Sequence, residues 1–128
     1  MIPLFVHKSP RLLKAFYAPF VWTIPTEEKV VYLTFDDGPI PDVTEWVLEK
    51  LEDFGAKATF FCIGDNVKKH PALFNRIKNE GHAIGNHTFH HLNGWKTENP
   101  VYFEDVAACE VSVYTEAQWL TLRSNNYS

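Results

Sequence analysis

Three short runs rich in β-branched and aromatic residues, VVYLTF at 30–35, KATFFCI at 57–63 and AIG at 83–85, recur along the chain with a helix-length segment between each pair. An unbroken apolar run suits a strand covered on both faces, and such strands belong to parallel sheets. The intervening segments supply the crossovers. Residues 42–54 place Val43, Trp46, Val47, Leu51 and Phe54 at helical spacing, with Asp42 as candidate N-cap and Gly55 just past the end. Gly64 to Asn66 read as the turn after the second strand, and His70-Pro71 opens a second helix with core face Leu73, Phe74 and Ile77, stopped by Gly81. Strand, helix, strand, helix, strand at this spacing predicts right-handed βαβ units, hence an α/β fold whose parallel sheet is open or curled into a barrel. Asn99-Pro100 predicts one more helix, through Val101, Asp105 and Ala108, and the pattern loses definition after Val113.

Charge and composition narrow the function classes. With 12 Lys and Arg against 16 Asp and Glu, a formal charge of -4 and no basic run beyond Lys68-Lys69, phosphate neutralisation is a poor basis for binding, so no nucleic-acid partner is expected. The two cysteines, Cys62 and Cys109, are too few for a disulfide framework and lack zinc-ribbon spacing. In the first 25 residues Lys14 and Pro19 break the apolar stretch AFYAPFVWTIP, and no small-residue cleavage site follows. The expectation is a cytoplasmic chain with no signal peptide and no transmembrane segment, its residues 1–27 an irregular lead-in; weak membrane-surface association is the alternative for that lead-in.

Two places could carry chemistry. Asp36 and Asp37 sit where the first strand runs out into Gly38-Pro39, and carboxyl ends of parallel strands are where α/β folds build their sites. Adjacent carboxylates there repel and lose hydration unless a cation or a proton holds them. The plain alternative is a turn aspartate followed by a helix cap. The segment GHAIGNHTFHHLNGW carries four of the six histidines, His82, His87, His90 and His91. On a helical turn, residues four apart lie about 6 Å from each other on one face, so His87 and His91 can both reach one metal ion, with a carboxylate completing the set. His82, between Gly81 and Ala83, reads as a core or surface histidine, as do His7 and His70, and His90 is expected to face away from the metal or to line the pocket.

LTFDDGP at 33–39 and GNHTFHHL at 85–92 resemble, in the right order, the first two motifs of the polysaccharide deacetylase family, whose members share the NodB-homology domain, and KATFFCIGDNV resembles that family's second strand. The resemblance covers about residues 30–112, within a partial domain expected over 28–112. It implies a distorted (β/α) barrel of seven strands and a hydrolase removing acetyl groups from amino-sugar polymers such as chitin oligomers or peptidoglycan, acting on carbon–nitrogen but not peptide bonds. In that family the first aspartate of the pair is the catalytic base, and the second binds a divalent metal, usually zinc, with two histidines. By this resemblance Asp36 is the base, Asp37, His87 and His91 are the metal ligands, Thr88 plays a supporting role in the histidine loop, and the partner is an acetylated carbohydrate.

The chain departs from that pattern after residue 91. The family's third motif, an arginine followed by prolines and an aromatic, has no counterpart, since the only arginine after residue 76 is Arg123, in LRSNNYS. No histidine follows His91, so the family's general acid is not found, and Trp119 in EAQWLT does not resemble the aromatic wall. These departures predict an incomplete barrel with a divergent tail at 113–128, from a fragment or a shifted reading frame. They also predict a polar end that frays and self-association through an exposed sheet edge. The competing reading is a noncatalytic metal- or carbohydrate-binding remnant. A third reading, Asp36 as a phosphatase nucleophile of the haloacid dehalogenase type, leaves His87 and His91 unexplained and finds Gly38 where a second aspartate is needed.

Overall fold

The computed structural model describes residues 11–17 and 19–114, and contacts divide the chain into one unit ending at Val31 and a second beginning at Tyr32. The first unit holds a six-residue helix, α1 (Arg11–Phe16), after which Phe20 N–H and the Trp22 indole both donate to the Tyr17 carbonyl, at 3.1 and 2.9 Å. His7, Trp119, Arg123 and the tail from residue 115 onward lie outside the described residues. No helix among the described residues is long and apolar enough to cross a membrane.

The second unit is a three-stranded parallel sheet in the order β1 (Thr34–Asp36), β2 (Thr59–Cys62), β3 (Ala83–Asn86). Phe60 of β2 pairs with Phe35 on one side and Ile84 on the other. Among the described residues four helices complete it: α2 (Val43–Asp53), α3 (Gly64–Lys69), α4 (Pro71–Asn79) and α5 (Asn99–Val113). The α/β class and parallel order agree with the expectation, and the described residues form a three-stranded sheet in place of the expected barrel.

One face of the central strand builds the core. Phe60 and Cys62 project to it and are buried against Leu48, Leu51, Leu73, Phe74 and Ile77, with Cys109 and Val113 closing it from α5. Alternation along a strand sends Phe61 to the opposite face, where its ring lies across Gly85, its register neighbour, in the space a Cβ there would fill. Leu73, Phe74 and Ile77 are buried as the periodicity predicts, and Pro71 opens α4 at a position where a missing N–H costs nothing.

Four expectations are corrected. The run at 30–35 is not a strand covered on both faces: β1 has three residues, Val31, Tyr32 and Leu33 are exposed, and its one sheet neighbour among the described residues is β2. The buried face of α2 is Thr44, Leu48 and Leu51, whereas Val43, Trp46 and Phe54 are exposed, because the sheet lies on the side of the helix that Leu48 faces. Asp42 holds the N-cap position with φ 63° and makes no side-chain cap bond; Thr44 Oγ1 accepts the Ile40 N–H instead, at 2.9 Å. Gly64 to Asn66 form the first turn of α3 rather than an irregular turn. Gly55 does end α2 as expected, with φ 58° letting Ala56 N–H reach back to the Leu51 carbonyl at 2.8 Å.

Candidate metal centre

The site lies at the carboxyl ends of the three strands, where side chains leave the sheet without a neighbouring strand to cover them. From β1 the chain passes through Asp36 to Asp37, which adopts φ 69°, and a cis peptide joins Gly38 to Pro39. This turn is tied to the second βα unit: Ile63 N–H donates to the Gly38 carbonyl at 2.9 Å and Asn66 Nδ2 to the Asp37 carbonyl at 2.8 Å. From β3 the chain passes to His87, whose N–H donates to the Cys62 carbonyl at 3.0 Å. Backbone bonds to neighbouring turns thus set the direction in which Asp37 and His87 leave the sheet.

Asp37 Oδ1 stands 3.1 Å from His87 Nε2 and 3.2 Å from His91 Nε2. The two imidazoles have ring centroids 5.1 Å apart, and the three donor atoms lie within 4.8 Å of one another. Asp37 and His91 are exposed and His87 half-buried, so solvent reaches the cluster. Asp36 is exposed beside it and stands outside the three-donor group.

The two histidines do not share a helical turn. Residues 87–92 are a loop in which Thr88 (φ 61°) and His91 (φ 58°) occupy the left-handed region, an uncommon conformation for residues other than glycine and rarer for a β-branched one. Their convergence comes from that double bend, held from several directions. Asn86 Oδ1 accepts the Thr88 N–H at 2.9 Å while its Nδ2 donates to the Val106 carbonyl at 2.8 Å, and the buried Thr88 Oγ1 accepts the Leu92 N–H at 2.9 Å. The first N–H groups of α3, Gly64 and Asp65, donate to the carbonyls of Thr88 and Phe89 at 3.1 and 3.0 Å. A Cβ on Gly64 would stand 2.5 Å from the Phe89 ring and 3.0 Å from the Cys109 backbone, so only glycine permits this approach.

His90 turns away from the cluster toward α5, its Nδ1 2.5 Å from Asp105 Oδ1, and Asp105 Oδ2 accepts the N–H groups of Phe89 at 2.6 Å and His90 at 2.9 Å. Burial raises the Asp105 pKa, but the His90 N–H, the His90 side chain and the Phe89 N–H outweigh it and hold the carboxyl below its ordinary range. Sequence reasoning placed Asp105 on a helix and assigned it no role. The available signal was its position four and eight residues before the buried Cys109 and Val113, a carboxylate on an apolar face. Gly64 and Asn66 read from the sequence only as turn residues, and Asn86 has no assignment there. Burial pushes the Cys62 thiol up to about 12, with Cys109 adding to it, and raises the Cys109 thiol as well; both are buried and stand outside the three-donor group. Beside the histidines opens a cavity of about 320 Å³, lined by Asn86, Thr88, Leu92, Tyr102 and Val106 along with the two rings.

The profile of the polysaccharide deacetylase family matches residues 23–115. The chain belongs to the polysaccharide deacetylase family. It is 49% identical over 71 residues to a peptidoglycan-N-acetylglucosamine deacetylase of Bacillus cereus, covering 56% of this chain and 33% of that protein. A chitooligosaccharide deacetylase of Azorhizobium caulinodans is 49% identical over 70 residues, 55% of this chain and 33% of that one. The crystal structure of the Bc1960 peptidoglycan N-acetylglucosamine deacetylase superposes with a TM-score of 0.67 at 43% identity, over 70% of this chain and 42% of that one. This deacetylase-family chain therefore spans about a third of the length of these two curated relatives.

Proposed function

We propose that Asp37, His87 and His91 hold a divalent metal ion, zinc first, in a hydrolase site that removes N-acetyl, and on some substrates O-acetyl, groups from amino-sugar polymers such as peptidoglycan or chitin oligomers. The observation that carries this reading is the approach of Asp37 Oδ1 to both Nε2 atoms, at 3.1 and 3.2 Å. Donors bonded to a small divalent ion at about 2.0–2.1 Å are separated by about 2.8–3.0 Å at octahedral right angles and about 3.3–3.4 Å at tetrahedral angles, and both distances lie between these limits. One carboxylate and two imidazoles suit zinc and also accept cobalt, nickel or manganese. Three protein donors leave positions open to water and substrate, and the exposure of the cluster leaves them accessible.

When bound, such an ion supplies Lewis acidity toward an acyl oxygen and makes water a stronger acid. The chain's own residues do the rest. His87 and His91 bind through Nε2 in their neutral form, and the Asp37 carboxylate offsets part of the ion's charge. Asp36, next to a ligand and open to solvent, accepts the proton of the attacking water as general base, a role that needs hydrogen-bond reach in the substrate complex. Departure of the amine needs a proton donor. No histidine follows His91 in these 128 residues, and the His90 side chain is engaged with Asp105. A second reading of the same site is metal or carbohydrate binding without turnover.

Two measurements separate these readings. Equilibrium dialysis against zinc should show about one ion per chain, with sharply weaker retention in Asp37→Ala and His87→Ala; unchanged stoichiometry in both would sink the metal site. Acetate release from a chitin oligomer or peptidoglycan, with zinc present and Asp36→Asn as the blank, tests turnover. A positioned proton donor is worth about 10² to 10⁴ in rate, so weak or absent release is expected from this chain alone. Robust release abolished by Asp36→Asn would refute the binding-only reading.

A further inference from the structure

The loop that carries His91 is bonded by a carboxylate that is neither a ligand nor part of the chain's two motifs. Asp105 is 8% exposed and sits on the buried face of α5 with Cys109 and Val113. A carboxylate in such a place is costly unless its oxygens are filled, and three donors fill them, all from the segment between the two histidine ligands. The N–H groups of Phe89 and His90 both point at Oδ2, and the His90 ring meets Oδ1. From the opposite side α3 takes the carbonyls of Thr88 and Phe89. The segment is therefore gripped by its carbonyls from α3 and by its N–H groups from α5. Left-handed backbone at Thr88 and His91 persists only where surrounding contacts over-determine it. Without Asp105 the bend loses the donors' acceptor, and two part-buried N–H groups lose their partner.

We propose that Asp105 is a positioning residue for metal capture, its carboxylate clamping Phe89 and His90 so that His91 Nε2 meets Asp37 and His87 at a common point. The inference rests on the metal reading of the cluster. It assigns to α5 a part in the site that neither motif contains, and it makes the backbone N–H groups, rather than the His90 imidazole, the main handle. Outer partners that orient metal ligands typically matter by about 10–100-fold in affinity, and that is the scale expected here.

The test is zinc affinity of the full chain, measured by competition with a chromophoric chelator, with far-UV circular dichroism confirming that each variant is folded. Asp105→Ala should bind zinc about 10–100-fold more weakly. Asp105→Asn keeps an acceptor oxygen of the same shape and should recover part of the loss. His90→Ala keeps the backbone donors and should weaken zinc binding less than Asp105→Ala does. Val113→Ala, on the same helix face and away from the loop, should lower the melting temperature without weakening zinc. A loss of about threefold or more in Asp105→Ala, absent from Val113→Ala, supports the positioning role. A smaller loss, or an equal loss in Val113→Ala, overturns it. Where Asp105→Ala does not fold, Asp105→Asn is read against the same threshold. Failure of the underlying metal reading looks different: wild type and Asp37→Ala then bind zinc alike.

Discussion

His82 shows what a histidine looks like when folding rather than chemistry decides its state. Its Nδ1 accepts the Ala58 N–H at 3.3 Å, which leaves the proton of the neutral ring on Nε2, 3.7 Å from a Glu80 carboxylate oxygen, and the ring packs edge-on to Phe60 with centroids 5.3 Å apart. Burial first, then the Lys57 charge, push its pKa below the ordinary 6.5, with Glu80 pulling weakly the other way. The unfolded chain therefore takes up a proton before the folded one. Stability contributed by neutral His82 is complete above pH 6.5, begins to fall as pH drops through that value and levels off below the depressed one. Thermal unfolding with a chelator present, between about pH 8 and pH 5, should show a steeper decline for the wild type than for His82→Asn. Equal slopes would mean that the burial of His82 carries no proton linkage.

At the scale of elements, α2 is the most informative. Two faces of this helix are apolar enough to be chosen, one through Val43, Trp46 and Phe54 and the other through Leu48 and Leu51. The sheet takes the second, leaving Trp46 60% exposed and Leu48 fully buried. Leu48→Ala should accordingly cost about 2–5 kcal/mol in urea unfolding, while Trp46→Ala should change stability by about 0.5 kcal/mol or less. A reversal of that order would mean that α2 packs in the other phase. The helix α5 carries the same lesson in polar form. Its buried face is Asp105, Cys109 and Val113, and the carboxylate that begins it has partners 15 and 16 positions back.

Across the whole second unit, the sheet is three strands wide and each outer strand has one strand neighbour among the described residues. Beside β1 the rejected face of α2 helps to form an apolar groove of about 250 Å³, lined by Leu33, Phe35, Trp46, Val47, Leu51 and Phe54. Parallel sheets are ordinarily covered on both faces, and open edges with apolar flanks invite pairing between chains. The isolated chain should therefore sediment increasingly fast as its concentration is raised. A Leu33→Lys, Trp46→Lys double variant, which puts charge on that groove, should suppress the effect. Concentration-independent sedimentation of the unaltered chain would remove the edge as a source of association.

The order of the three strands with α2 and α4 between them and α5 after, the starts at His70-Pro71 and Asn99-Pro100, the core face of α4 and the residues Asp37, His87 and His91 as one candidate set were legible in the sequence, whereas α1 and α3 were not. Periodicity, proline placement and motif content are local properties, written within a few residues of where they act. Only the tertiary structure decided the rest. Whether VVYLTF is covered depends on what lies beside it, and the face of α2 depends on which side the sheet occupies. His87 and His91 suggested a helical turn by their spacing alone. They meet instead across a left-handed bend that α3 and α5 hold in place. The free energy that keeps such a bend comes from partners distant in sequence, Gly64 on one side and Asp105 on the other, and no local pattern encodes a contact whose second member has yet to be brought near by folding.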